Sequence, residues 1–319
     1  MRLLAFVPSQ LWAGLAGLHL IGCVSPQGVE GLEVVGAETS QEASPFWVSN
    51  LEGGEVVAFS AEDGRRLGQV VDPETLPASL RPFRPSSAVH HGDEIYVTQY
   101  STGEVLAFDA ATGVFQRIVF QNQSGYAAPR MEEPCMIRVI DGNSWVLGND
   151  TRNLLILDDQ GAVVQEVGQS PLHLRNPHGF DVTPDGLLYV AMSPTIEGAG
   201  LVQIWDLILQ RPVGEFGAYS EIQEGTGMMV DEDNTLVVSD WFGNQVVRYD
   251  AHTGGLMGIV LNADDGLDHP IATARTAGND LLVLDMSGVL RVDRGGTERI
   301  VDADVEDLVW ARGITVPTF

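Results

Sequence analysis

VVSDWFGNQVVRYDAHTGGLMGIVL (237–261) and YVTQYSTGEVLAFDAATGVFQRIVF (96–120) share one plan. An apolar strand meets a polar turn, a second strand ends in Asp, and a Gly-containing turn leads into a third strand. The second strand recurs as VLAFDAATG (105–113), LLILDDQG (154–161), VQIWDLI (202–208), VVRYDAHTG (246–254) and VLRVDRGG (289–296). A degenerate copy reads VVAFSAEDG (56–64). Ser60, Asp109, Asp158, Asp206, Asp250 and Asp293 follow one another at steps of 49, 49, 48, 44 and 43 residues. A period in the forties made of short strands predicts an all-β chain of β-propeller blades, six of them here. Because a catalytic group is required only once, an Asp repeated in five blades reads as turn chemistry.

Each repeat holds four strands, A to D from the axis outward. Strand B is the most regular: FWVSN (46–50), IYVTQ (95–99), SWVLG (144–148), LYVAM (188–192), LVVSD (236–240) and LLVLD (281–285). Its β-branched and aromatic alternation suits a buried strand. Strand A precedes B by about ten residues, best seen in PHGFDVTPDG (177–186) and GTGMMVDEDN (225–234). The first B strand has no A before it. The last segment, RGITVPTF (312–319), reads as an A with no B after it, its Val316 matching Val182. Pairing the two closes the ring and removes two open sheet edges, so blade 1 is expected to combine both ends of the chain.

Residues 1–22 read as a leader: Arg2, then an apolar run to Gly22 with no acidic residue. Residues 23–44 are rich in Gly, Ser and Glu without strand or helix periodicity, and read as a flexible tether. Fully extended, they reach roughly 70 Å at ~3.3 Å per residue. The body is expected over 45–319. The chain carries 44 acidic residues against 17 basic ones, all Arg, for a net charge of −27. Without Lys there is no lysine Schiff base and no Walker A loop. Such acidity excludes a nucleic-acid partner, which needs a basic face, and fits a solubilising exported surface. Two cysteines, Cys23 and Cys135, leave no intramolecular disulfide once Cys23 is modified.

Two resemblances add to this reading. Leu20-Ile21-Gly22-Cys23 resembles a bacterial lipobox. That implies a lipoprotein signal peptide cut before Cys23, a diacylglyceryl (palmitate-class) anchor on its sulfur, and a place in the bacterial cell envelope outside the cytoplasm. In a Gram-negative cell this would be the outer membrane. An ordinary secretory signal is the alternative. The two stretches quoted first resemble NHL-type repeats and the six-bladed group that includes the SMP-30/gluconolactonase family. In that group the start of strand A lines one mouth of the central channel.

Counting eleven residues back from the strand B anchors at 47, 96, 145, 189, 237 and 282 gives Pro85, Pro134, His178, Thr226 and Ile271, with Arg312 from the closing strand. A shift of one position brings in Ser86 and Cys135. Two residues earlier lie Glu132, Asn176, Glu224 and His269. The expected ligand-binding mouth therefore comprises His178, Thr226, Glu224, His269, Arg312 and Cys135. Each has a plainer role: Cys135 as a small buried apolar residue, His178 bonding loop carbonyls, Arg312 pairing with Glu224 or Glu133. His90 and His91 sit at the other end of strand A and read as turn residues, too far along to share a metal with His178.

The segment NPHGFDVTPDGLLYVAMS (176–193) resembles the gluconolactonase segment whose Asn and late Asp bind a divalent cation. His178 and Met192 stand at those two positions, so the oxygen donors a calcium ion requires are missing. A zinc lyase of the peptidylamidoglycolate type, which the architecture also resembles, would find His178 and His269 but no third imidazole. No cofactor or metal is indicated. The sequence points to a binding module for a protein, peptide or glycan outside the cytoplasm, attached to the membrane by lipid. The alternative is a hydrolase or lyase, lactonase-like or peptidylamidoglycolate-lyase-like, at the channel mouth.

Overall fold

The computed structural model describes residues 44–122, 129–168, 174–193, 202–231 and 233–318. The leader, Cys23 and the tether up to residue 43 lie outside them. Among the described residues no helix is long and apolar enough to cross a membrane.

Six four-stranded antiparallel sheets form the body. Blade 1 draws on both chain ends, in the order β24 (Ala311–Thr315), β1 (Pro45–Asn50), β2 (Glu55–Ser60) and β3 (Arg66–Gln69). Blade 2 runs through β4 (Pro85–His91), β5 (Glu94–Gln99), β6 (Glu104–Asp109) and β7 (Phe115–Phe120). Blade 3 holds β8 (Pro134–Ile140), β9 (Asn143–Gly148), β10 (Asn153–Leu157) and β11 (Val163–Val167). Blade 4 holds β12 (Pro177–Val182), β13 (Leu187–Met192), β14 (Val202–Asp206) and β15 (Arg211–Phe216). Blade 5 holds β16 (Gly225–Val230), β17 (Thr235–Asp240), β18 (Gln245–Asp250) and β19 (Leu256–Asn262). Blade 6 ends the series with β20 (Ala272–Arg275), β21 (Leu281–Asp285), β22 (Gly288–Asp293) and β23 (Gly296–Asp302). The chain is thus an all-β six-bladed propeller, and β24 closes blade 1.

The alternation along strand B explains how six sheets become one ring. Trp47, Tyr96, Trp145, Tyr189, Val237 and Leu282 face the following blade, while their neighbours, such as Phe46 and Val48, face the preceding one. Six apolar clusters result, one at every blade–blade junction, including that between blades 6 and 1. Each sheet is buried on both faces, so a slip of one residue would present the wrong set to each neighbour.

The repeated Asp is turn chemistry in the structure as well. Asp109 Oδ1 accepts from the Ala111 and Thr112 N–H groups, Asp158 Oδ1 from Gln160 and Ala162, and Asp206 Oδ1 from Ile208 and Leu209. Asp250 accepts from Thr253, Asp293 from Gly295, and Ser60 Oγ from Glu62 in the degenerate copy. Hydrogen bonds from Thr112 to Asp109 and from Thr253 to Asp250 hold both carboxyls below the usual range. A second set of polar residues closes strand B and ties down the segment entering strand A. Asn50 Oδ1 accepts from Val309 N–H, Asp240 Oδ1 from Gln223 and Glu224, and Asp285 Oδ2 from Asp268. The expectation of turn residues at His90 and His91 is corrected: both lie within β4. The His91 ring stacks on Tyr96 at 4.7 Å and its Nε2 lies 3.2 Å from the Gly142 carbonyl, contacts that hold it in the strand.

Candidate functional site

The A strands of all six blades ring the axis. Five begin with a β-bulge at one end. The ladder skips a residue between Pro85 and Ser87, Pro134 and Met136, Pro177 and Gly179, and Gly225 and Met228, and in β24 between Ala311 and Gly313. The unpaired residues are Ser86, Cys135, His178, one of Thr226 and Gly227, and Arg312. A bulge re-aims the side chain it carries. Ser86 and Cys135, rather than Pro85 and Pro134, hold the positions equivalent to His178 and Thr226, because the A–B turns of blades 2 and 3 are shorter: the residue opposite the strand B anchor lies seven places before Tyr96 and Trp145 but eight before Tyr189 and Val237. Cys135, His178, Thr226 and Arg312, together with Ile271 of blade 6, line a central channel of about 400 Å³.

Hydrogen bonding divides this ring into two kinds of residue. Ser86 Oγ donates to the Pro134 carbonyl, and Thr226 Oγ1 to the Pro270 carbonyl at 2.8 Å. Cys135 Sγ lies 3.5 Å from the His178 carbonyl and 3.8 Å from that of Pro177. Each of these three therefore latches its blade to the start of strand A in the next. Burial pushes the Cys135 thiol up to about 12, so it is no thiolate at neutral pH. His178 and Arg312 make no such latch. They belong to blades 4 and 1, three blades apart in a ring of six, and so face each other across the axis.

Arg312 is an unusual cation. Its side chain makes no hydrogen bond and has no carboxylate within 4.0 Å among the described residues, and its Nε is buried. The expected pairing with Glu224 or Glu133 is absent. The other described arginines without an ion pair (Arg152, Arg211 and Arg294) are all exposed. The guanidinium instead lies over the Trp310 ring, 5.7 Å from its centroid. Burial and then the charge of Arg312 bring the His178 imidazole down to about 4, so the ring is neutral at pH 7. Glu224 Oε1 stands 4.0 Å from His178 Nε2, which is therefore no ion pair, and accepts from Ser193 Oγ at 2.8 Å. Asn149 Nδ2 donates to the Pro177 carbonyl at 2.8 Å and sits almost equally far from the two imidazole nitrogens, at 3.5 and 3.4 Å. The Tyr100 hydroxyl, bonded to Glu133, is pushed up to about 12, first by burial and then by that carboxylate.

His269 is placed differently. It precedes strand A on the rim, its Nδ1 lies 2.8 Å from Asp268 Oδ1, and its ring packs on Trp241 at 5.3 Å. It does not line the channel with His178. Among the described residues no three His, Cys, Asp or Glu are grouped so as to hold a metal ion.

Tyr100, Asn149, Ser193 and Trp241 went unread in the sequence although they are regularly spaced. Each lies four residues beyond its strand B anchor, and with Met286 they form a second ring around the mouth. Their backbone N–H groups all donate to the residue leading into strand A: Arg84, Glu133, Asn176, Glu224 and Asp268 respectively.

The titration of His178 has a measurable consequence. An unfolded histidine takes its proton near 6.5, whereas the folded one waits until about 4. Between those values the unfolded chain binds more protons, so stability falls as pH drops from 6.5 to 4 and does not change above. The contribution is on the order of 3 kcal/mol. Denaturant melts of wild type and His178→Gln should diverge over this window and run parallel above pH 7. Parallel curves throughout would show that the imidazole is not buried as described.

Fold and mouth together define a six-bladed propeller with a polar, cation-bearing channel entrance. No family model matches the chain, and no curated protein does. Among solved structures it is similar to a streptogramin B lyase, at 14% identity and TM-score 0.52, over 81% of this chain and 74% of that one. It is similar to virginiamycin B lyase from Staphylococcus aureus at 14% identity and TM-score 0.56, over 82% and 85% of the two chains. A chain of a nidogen–laminin complex matches at 13% identity and TM-score 0.61, over 85% and 97%. Likeness at these identities shows the fold alone.

Proposed function

We propose that this chain is a lipid-anchored, extracytoplasmic binding propeller that captures its ligand at the channel mouth. The observation that carries the reading is Arg312: a half-buried guanidinium left, among the described residues, without a carboxylate in a chain of net charge −27. A group kept uncompensated in a concave site is what a ligand completes. Catalysis fits less well, since an acid–base group works best near the operating pH, and His178 at about 4 and Cys135 at about 12 lie far from it. A hydrolase or lyase at the same mouth is favoured by one contact, the Glu224 carboxylate beside His178, which has the form of a base and its orienting partner. Solved propellers of this shape include both a lyase and a chain from a protein–protein complex, so the fold is compatible with either. The repeats favour kinship with NHL and SMP-30-type propellers.

The test is thermal-shift screening of the purified full chain against small acids, amines, sugars and short peptides, with mass spectrometry of each hit. Hits lost in Arg312→Gln and His178→Ala, and recovered unchanged, support binding at the mouth. Turnover abolished by His178→Ala would transfer the protein to the enzyme class. Hits indifferent to both substitutions would place the site elsewhere.

Anchoring rests on Leu20-Ile21-Gly22-Cys23, and the 23–44 segment would then hold the 45–319 body away from the membrane. In fractionated cells, Cys23→Ser is expected to move the protein from the membrane to the soluble fraction or to leave an uncut precursor. Unchanged processing and unchanged membrane retention would remove the lipid from the reading.

A further inference from the structure

The mouth has a second, apolar compartment. A cleft of about 280 Å³ opens between blades 6 and 1, lined by Ile271, Leu284, Met286, Leu308, Val309 and Trp310 among others. Ile271 lines both this cleft and the central channel, so the two spaces adjoin. Trp310 links them chemically: its ring is a wall of the cleft and also lies beneath the Arg312 guanidinium. It is held there with φ +53°, a left-handed conformation that a bulky residue rarely adopts, and it remains 48% exposed. The cleft's two carboxylates differ in availability. Asp285 is buried and fully engaged with Arg299 and backbone N–H groups, while Asp304 is exposed at the edge.

Building on the mouth as the binding site, we propose that its ligand is a monoanionic carboxylate bearing an apolar group. The carboxylate pairs with Arg312, and the apolar group enters the cleft walled by Ile271, Met286, Leu308 and Trp310. Three observations converge on this class. Arg312 presents a planar donor fork with no acceptor of its own among the described residues, which suits a carboxylate held through two parallel hydrogen bonds. The adjoining compartment is mostly aliphatic and aromatic, so an apolar group gains by leaving water there. Asp304 at the cleft edge and Glu224 near His178 repel a second negative charge, which disfavours phosphates and dicarboxylates. Such a carboxylate is presented either by a small free acid or by the C-terminal residue of a peptide ending in an apolar side chain.

Isothermal titration of the full chain with defined probes tests this. The probes are 3-phenylpropionate and its neutral amide, and the pentapeptide Gly-Gly-Ser-Gly-Phe with a free or an amidated C-terminus. The acid forms are expected to bind at least about tenfold tighter than their amides, the usual worth of a charge-assisted hydrogen bond. Arg312→Gln should erase that difference. Trp310→Gly, which relieves the backbone strain, should weaken the phenyl acid while leaving discrimination of acid from amide in place. Tighter binding of 3-phenylpropionate than of the free-ended peptide identifies a small acid as the source, and the reverse order a peptide terminus. Equal binding of acid and amide, binding indifferent to Arg312→Gln, or no binding of any probe at millimolar concentration would overturn the carboxylate assignment. The broader reading of a mouth site would stand or fall separately, on whether other hits respond to His178→Ala and Arg312→Gln.

Discussion

Truncation before Arg312 is expected to yield a protein that aggregates or melts far below the full chain. Strand β24 pairs along β1, with Trp47 opposite Thr315 and Val48 opposite Ile314. It also packs against β4 of the next blade, where Thr315 Oγ1 donates to the Ala88 carbonyl at 2.8 Å. Ile314 is buried in the cluster that joins blades 6 and 1, beside Phe46, Val48 and Leu282. Removing one such side chain costs about 2–5 kcal/mol, and truncation removes the ladder as well. Against a typical total stability of about 5–15 kcal/mol, little would remain. The inner edge of β1 would also be left unpaired and open to association with other chains. Gly313→Val tests the same closure with a single residue. A Cβ at Gly313 would lie 2.7 Å from the Ser86 carbonyl oxygen, so blade 1 would have to move away from blade 2. Both variants should lose several degrees in thermal melts, the truncation most. A truncated chain melting within a degree or two of wild type would show that the ring does not depend on its closing strand.

How much of this was readable beforehand follows from the physics of each feature. Blade number and closure were legible because the turn-forming Asp and the strand B anchors repeat at nearly fixed intervals, and blades that must bury both faces tolerate little drift. The mouth was legible only to within one residue. The A–B turn is shorter in blades 2 and 3 than in blades 4 and 5, so a fixed count back from the strand B anchor lands on Pro85 and Pro134 in place of Ser86 and Cys135. The latch role of Cys135 and Thr226 depends on carbonyls of the following blade, 42 or more residues away. No local pattern encodes it. His269 resembled a member of the His178 set by count alone, but its left-handed φ of +53° and its bond to Asp268 hold it on the rim. Conversely, Tyr100, Asn149, Ser193 and Trp241 were within reach, because the anchors that locate strand A also locate them four residues onward. That Arg312 has no carboxylate partner among the described residues was not legible, since eligible carboxylates abound in so acidic a chain.

Asp285→Ala is expected to be the most damaging single substitution at the mouth. The carboxylate is wholly buried and carries four interactions. It accepts from the Ser287 N–H at 2.9 Å, from the Asp268 N–H at 3.0 Å, and from both terminal nitrogens of Arg299 at 2.8 and 2.7 Å. Strand B, the turn after it, the segment entering strand A and the outer strand β23 therefore meet on one side chain. Removing it leaves the Arg299 guanidinium with only the Gly266 carbonyl as hydrogen-bond acceptor and unpairs two N–H groups, and loss of one partner of a buried pair costs about 3–5 kcal/mol. Asp285→Asn should be milder. Blade 1 uses Asn50 at this place, with Oδ1 accepting from Val309 N–H and Nδ2 donating to the Asp307 carbonyl at 2.9 Å. Adding Arg299→Leu to Asp285→Asn should recover part of the loss, because the uncompensated cation goes with it. Damage should also reach the ligand: Asp285 orients the turn bearing Met286, a wall of the apolar cleft. At temperatures where Asp285→Asn remains folded, affinity for an apolar carboxylate should fall while the acid-to-amide ratio, set by Arg312, persists. Denaturant melts of Asp285→Ala within about 1 kcal/mol of wild type would show that Arg299 and the two N–H groups find other partners, and the node would not be what shapes the mouth.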